Sequence, residues 1–339
     1  MKTLILFFCL LAAAPGLARA ADFPLGFYGI SGPAQLAALK AAGFNSFHTY
    51  GQNPARLAAL AAEADKLGLK MLAAPDQVLD STYTLAAKSW PMLGWYLYDE
   101  PEVRKVPVAE LERLEKRVKD WDPAQKTVFV VGDGVAAFTY GGVADVLMVD
   151  WYPVPHIPLG SVGEQVAMAK SGAAILDAKR PNKPVWAVLQ AFDWIGYPQK
   201  RKPPVGGFPT LEQVRYMTYL AVARGAQGIF YFTYDGSDGI PLPSRPERWG
   251  IYQRLAAELN ALRPALEDGA PGVLPPGLDA RLASRAIKRG GDNYLLLLNP
   301  AATALPLNAK ALAGYRPLFE MNRALPPALP PQAVLVLEK

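Results

Sequence analysis

The residues best suited to chemistry stand where an apolar run stops. Leu93-Gly94-Trp95-Tyr96-Leu97-Tyr98 has the texture of a buried strand, and it ends in Asp99-Glu100-Pro101-Glu102. An unpaired carboxylate is costly to bury, so acids at such a tip suggest work rather than packing. Asp99 stands close enough to perturb the proton affinity of Glu100, which is how general acids and bases are tuned. The structural alternative is that both acids cap a following helix, with Pro101 in its first turn. Side chains alternate along a strand. If Glu100 faces an interior, Trp95 and Leu97 face outward, and Asp99 shares their parity.

Other apolar runs end in the same way. Val149-Asp150-Trp151-Tyr152-Pro153 places Asp150 and Tyr152 on one parity, an acid beside aromatic faces, which suits hydroxyl binding and stacking on sugar C–H surfaces. A structural Asp150 bonded to loop amides is the alternative. Gln190 breaks the apolar run Leu189-Gln190-Ala191-Phe192, followed by Asp193 and Trp194, and Thr233-Tyr234-Asp235 adds a further aromatic and acid. His48 and Tyr50 alternate toward one side of an earlier run, with His48 either a floor residue or a hydroxyl contact. Tyr152, Gln190, Trp194 and Tyr234, with His48 and Tyr50, are the candidate substrate contacts. His48 and His156 are the two histidines of the chain and show no metal-ligand spacing, so no metal and no cofactor are expected. Neither a Gly-x-Ser-x-Gly elbow nor a phosphate-binding loop is present.

These tips need a scaffold that brings strand ends together. Strand candidates fall at Leu25–Ser31, Asn45–Tyr50, Lys70–Ala74, Gly94–Asp99, Thr127–Gly132, Val146–Tyr152, Val185–Phe192 and Ile229–Tyr234. Amphipathic stretches separate them: Pro33–Ala42, Asn53–Leu67, Val108–Asp120, Val162–Lys179 and Leu211–Arg224, with Glu247–Leu262 after the last strand. Eight such units predict an α/β fold, a closed (β/α)8 TIM barrel, whose chemistry sits at the C-terminal strand ends. An open doubly wound sheet fits less well, because Gly29-Ile30-Ser31-Gly32-Pro33 is a poor phosphate turn. Beyond Pro264 short strand candidates (Leu282–Lys288, Tyr294–Leu298, Arg316–Glu320, Ala333–Leu337) predict a small antiparallel β-sandwich-like domain. The expected division is 1–20 leader, 21–266 barrel and 267–339 C-terminal β domain.

The leader reads as a signal peptide: Lys2, an apolar core from Leu4 to Ala14, and Ala18-Arg19-Ala20 as a small-x-small cleavage site. A secreted or periplasmic protein is expected, with no membrane insertion after cleavage. Cys9 is the sole cysteine and lies in the leader, so the mature chain has no disulfide or thiol chemistry. The formal charge of +5 is distributed among acids along helices, which argues against nucleic-acid binding. Lys200-Arg201-Lys202 is a denser cluster, either a solvated loop or a contact for an anion.

Trp90-Pro91-Met92-Leu93-Gly94-Trp95-Tyr96-Leu97-Tyr98-Asp99-Glu100-Pro101-Glu102 resembles the fourth strand of clan A-type glycoside hydrolase barrels, where an Asn-Glu-Pro ending carries the general acid/base. Tyr152-Pro153 and the terminal β domain are also similar to these enzymes. The resemblance implies a glycosidase acting on an oligo- or polysaccharide with Glu100 as acid/base; taken with the leader, the two histidines and the strand-end acids, the expectation is an exported, metal-independent enzyme with Asp99 as the partner of Glu100 and Asp150 as a further catalytic carboxylate. It also exposes a departure. The clan's nucleophile is a glutamate at the end of the seventh strand, and Gln190 occupies that neighbourhood. Asp150 or Asp193 filling the role, attack by the substrate's own acetamido group as in hexosaminidases, and binding without cleavage all remain open. The last is the alternative function: a non-catalytic saccharide-binding barrel in exopolysaccharide assembly or export.

Overall fold

Short runs rich in Val, Leu, Phe and Tyr, buried on both faces, have few options other than parallel strands covered by helices. In a computed structural model, which describes residues 22–180, 182–197, 205–320 and 324–339, they form that arrangement. β1 (Leu25–Phe27), β2 (Ser46–His48), β3 (Lys70–Ala73), β4 (Met92–Asp99), β5 (Thr127–Val131), β6 (Val146–Trp151), β7 (Val185–Gln190) and β8 (Ile229–Phe232) close into a parallel barrel in chain order. The expected leader with Cys9 and the Lys200-Arg201-Lys202 cluster lie outside the described residues.

The helices are α1 (Leu36–Ala41), α2 (Pro54–Leu67), α3 (Asp76–Leu79), α4 (Val108–Trp121), α5 (Ala137–Tyr140), α6 (Ser161–Leu176), α7 (Leu211–Ala223) and α8 (Pro246–Asp268). Local chemistry sets their ends. Asn53 caps α2 by accepting from the amides of Ala55 and Arg56 at 3.0 and 3.1 Å, with Pro54 at the first position and Gly68 left-handed at the close. Thr210 and Gln213 form a reciprocal capping box at α7. Among the described residues no helix is long and apolar enough to cross a membrane.

Alternation along the strands divides the core in two. Phe27, Phe47, Trp95, Leu97, Phe129, Leu147 and Tyr231 pack outward on the helices, while Tyr28, Leu72, Tyr96, Val128, Val130, Met148, Val188 and Phe230 fill the barrel interior. The barrel is therefore a packed solid, open to ligands at its mouth only.

Downstream lie β9 (Ala270–Pro271), β10 (Ala283–Arg289), β11 (Asp292–Leu298), β12 (Leu305–Pro306), β13 (Arg316–Pro317), β14 (Ala328–Leu329) and β15 (Val334–Glu338). β13, β15, β11, β10 and β9 form one antiparallel sheet in that order, and β12 pairs with β14. Leu296, Leu298, Val334 and Val336 join the core of the barrel helices, whereas Leu295, Leu297, Leu335 and Leu337 pack with Leu305 and Leu329 on the opposite face. Arg215 of α7 pins this junction, donating to Glu258 of α8 at 2.8 Å and to the Val334 carbonyl at 2.9 Å.

Gly26 tests the interior packing. A Cβ on it would come within 2.5 Å of the Phe230 ring and 2.7 Å of the Ser46 carbonyl. Gly26→Ala is expected to lower stability by about 1–3 kcal/mol through overpacking. Chemical denaturation measures it, and an unchanged midpoint would contradict the packing described.

Candidate active site at the barrel mouth

β4 delivers its acids through an irregularity rather than by plain alternation. Its register against β5 shifts between Tyr96 and Asp99, and Leu97 and Tyr98 both pack with the outer core. Asp99, expected on the outward parity, is thereby turned to the barrel axis. There its Oδ1 accepts from the Tyr96 hydroxyl at 2.6 Å. Glu100 follows in the left-handed region at φ 49°, with its amide donating to the Val130 carbonyl at 3.1 Å. A non-glycine residue there costs about 1 kcal/mol or more and persists only where surroundings hold it. Glu102 is one such restraint, since its Oε1 accepts from the amide of Gly132 at the tip of β5. Gly132 has no room for a side chain: a Cβ would stand 3.0 Å from Glu102 Oε1 and 3.1 Å from Glu100 Oε1.

Asp150, at the end of β6, is a neighbour of Glu100 and Tyr152 in the same cleft. It is buried, and its Oδ1 has no partner. Burial, then the neighbouring Glu100, raises its proton affinity well above the ordinary carboxylate range. Asp150 is thus a buried carboxyl whose protonated form is favoured, with Glu100 beside it in the cleft.

Glu100, Gly132 and Asp150 share a cleft of about 230 Å³ with Trp151, Tyr152, Ile157, Phe192, Trp194, Tyr197 and Phe232. Its walls are largely aromatic: Tyr152 packs against Phe192, Trp194 and Phe232 with ring centroids at 5.1, 6.5 and 5.6 Å. The Trp194 indole donates to the Tyr152 carbonyl at 3.3 Å. Tyr50 is 49% exposed and lines an adjoining basin, yet Asp99, Asp150 and Glu100, after burial, raise its phenol pKa. Its hydroxyl therefore sits in the field of all three carboxyls.

The structure thus brings Glu100, Asp99, Asp150, Tyr50, Tyr152 and Trp194 together at the mouth and sends three candidate contacts elsewhere. Gln190 is fully buried; its Oε1 accepts from the Val154 amide at 2.9 Å, and its Nε2 donates to the carbonyls of Val154 and Phe192. It clamps the loop after β6 to the end of β7, and no amide hydrogen is left for a ligand. Tyr234 is 2% exposed and packs edge-on against Phe27 and Trp249, because the residue after it, Asp235, takes the mouth. His48 lies in the barrel interior, stacked on Tyr28 at 4.1 Å with Tyr50 and Tyr96 each at 4.4 Å. Asp193 is held by the amides of Ile195 and Gly207 at 2.9 and 2.8 Å, an anchor for the loop after β7. The alternation signal missed Phe192, Tyr197 and Phe232, which read as ordinary core aromatics, and the glycine at 132. Among the described residues no group of three or more His, Cys, Asp or Glu could hold a metal ion.

Neither nitrogen of His48 has a partner, and burial lowers its pKa to about 3. The unfolded chain binds a proton near pH 6.5 that the fold refuses. His48 therefore contributes stability in full above pH 6.5, and this is lost as pH falls toward 3, on the order of 4 kcal/mol. His48→Phe is expected to flatten stability across that window in pH-dependent thermal melts; an unaltered acid limb would contradict the buried neutral imidazole.

No protein-family model and no curated protein matches this sequence. Solved structures do. An α-amylase from Geobacillus thermoleovorans, complexed with acarbose, is 12% identical, with 95% of this chain and 99% of that chain covered at a TM-score of 0.57. Amy13B from Eubacterium rectale is 10% identical over 95% and 96%, TM-score 0.60. A structure described as a glycoside hydrolase is 15% identical over 93% and 92%, TM-score 0.60. These likenesses establish the fold, a closed eight-stranded parallel barrel followed by a small antiparallel β domain, shared with glycoside hydrolases across nearly the whole chain.

Proposed function

We propose that this protein is an exported glycosidase that hydrolyses an O-glycosidic bond of an oligo- or polysaccharide without a metal ion. The observation that carries the proposal is the carboxyl pair of Glu100 and Asp150 at the mouth of a barrel, in a cleft walled by aromatic rings. Such rings stack on the C–H faces of sugars, and a carboxyl whose protonated form is favoured by burial, as at Asp150, can supply the proton that a leaving glycosidic oxygen needs. The fold likeness supports the same reading, since one neighbour binds acarbose and another maltose. The leader sequence supports export.

In this reading Glu100, supplied by the proton held with Asp150, protonates the departing oxygen. Asp99, fixed by Tyr96, orients the reacting unit. Glu100 and Asp150 are neighbours in one cleft. They act from one side of the sugar. Among the described residues the rest of the cleft lining is aromatic, aliphatic or glycine. That arrangement favours attack on the anomeric carbon by a neighbouring group of the substrate, such as a 2-acetamido oxygen. Water then opens the cyclic intermediate, with Glu100 taking back a proton.

Glu100→Gln, assayed beside wild type on a panel of aryl glycosides and oligosaccharides with and without 2-acetamido groups, tests this. Loss of a hundredfold or more in kcat/KM is expected from a folded variant, in line with ~10²–10⁴-fold for a general acid/base. Undiminished cleavage would remove Glu100 from the mechanism. Binding by wild type without cleavage across the panel would favour a saccharide-binding protein instead.

A further inference from the structure

The aromatic cleft does not end at its own wall. Tyr197 and Phe232 line it on one side and, on the other, line a second basin of about 370 Å³ over the ends of β8, β1 and β2. The 230 Å³ of the first cleft falls below the ~300–1,000 Å³ typical of small-ligand sites, and the second lies within it. Their chemistry differs. The first is mostly ring faces around the carboxyl pair; the second adds Ser31, Gln52, Asn53, Arg56, Thr233 and Asp235.

Asp235 is the organised group in that basin. Its Oδ1 accepts from Gln35 Nε2 at 3.0 Å, while Gln35 Oε1 is itself held by the amides of Ser31 and Gly32 at 2.7 and 3.1 Å. The support fixes the carboxyl by one oxygen, and among the described residues no hydrogen bond engages Oδ2. A carboxylate held in this manner is preorganised to accept from hydroxyls. Burial favours its protonated form and Gln35 opposes that, which leaves a group able to pair with a polar ligand.

We propose that the basin over β8, β1 and β2 is a second sugar subsite, that Asp235 is its specificity-determining residue, and that the saccharide runs across the Tyr197–Phe232 ridge with adjacent units in the two basins. The inference rests on the glycosidase reading and deepens it: the substrate class is a saccharide chain, recognised beyond the unit at Glu100. Ring faces at the ridge contact the C–H surfaces of the chain, and the polar rim of the second basin takes the hydroxyls of the next unit.

The test uses wild type, Asp235→Asn and Asp235→Ala with chito-, xylo-, cello- and malto-oligosaccharides of two to six units. Hydrolysis is followed in each, and binding is followed by calorimetry in the Glu100→Gln background. In wild type, kcat/KM or affinity is expected to rise about tenfold or more with chain length, one filled subsite corresponding to roughly 1.4 kcal/mol. That length advantage should shrink about tenfold in both Asp235 variants, through KM more than kcat, with melting temperature as the control for folding. Cleavage whose length dependence ignores Asp235, or has no length dependence, would overturn the subsite while leaving the role of Glu100 intact. Absence of both cleavage and binding across the series would overturn the two together.

Discussion

Two neighbouring carboxyl groups, Glu100 and Asp150, the second buried with an oxygen that no donor meets, are the constraint on which the mouth of this barrel depends. Such a pair is stable only if it keeps a proton or is pried apart by solvent. The surrounding structure buries Asp150 and so favours its protonated form. The β4 register shift turns Asp99 inward and the left-handed turn aims Glu100. Glu102 ties the following loop to Gly132, and the absence of a side chain at 132 leaves room for the Glu100 carboxyl. From the other side, Gln190 fastens the loop that follows Asp150. Several residues that do no chemistry are therefore needed to hold two that can.

Beneath the pair lies an aromatic plug. Tyr28, His48, Tyr50 and Tyr96 stack through the barrel axis, and Tyr96 hands its hydroxyl to Asp99. The plug excludes water from the floor, which strengthens the electrostatic coupling above it. It also explains why an imidazole sits there without partners: ring stacking fills volume that a smaller side chain would leave empty. Packing density sets the proton affinities in this part of the molecule.

The fold was readable because hydrophobic runs of strand length alternated with amphipathic runs of helix length, a pattern that few architectures accommodate. Glu100 and Asp150 were readable because carboxylates end apolar strands. The errors share a cause. Strict alternation gave Asp99, itself a candidate partner of Glu100, the parity of Trp95 and Leu97, and offered Gln190 and Tyr234 as ligand contacts. A one-residue irregularity in β4 turned Asp99 and the turn after β8 turned Tyr234, while the backbone of the loop after β6 took up the amide of Gln190. Such local departures from period two carry little sequence signal. A buried amide that satisfies a loop looks, in one dimension, the same as one that awaits a ligand. Phe192 and Phe232 were equally hidden, since an aromatic residue at a strand end serves a core and a sugar platform alike.

The account is tested most directly by following the carboxyl carbon of Asp150 by NMR across a pH titration, in wild type and in Glu100→Gln. It predicts that Asp150 remains protonated well above the ordinary carboxylate range and that its titration moves toward that range when Glu100 is neutralised. Ionisation of Asp150 in the ordinary range, with no response to residue 100, would contradict a shared proton at the mouth of this barrel.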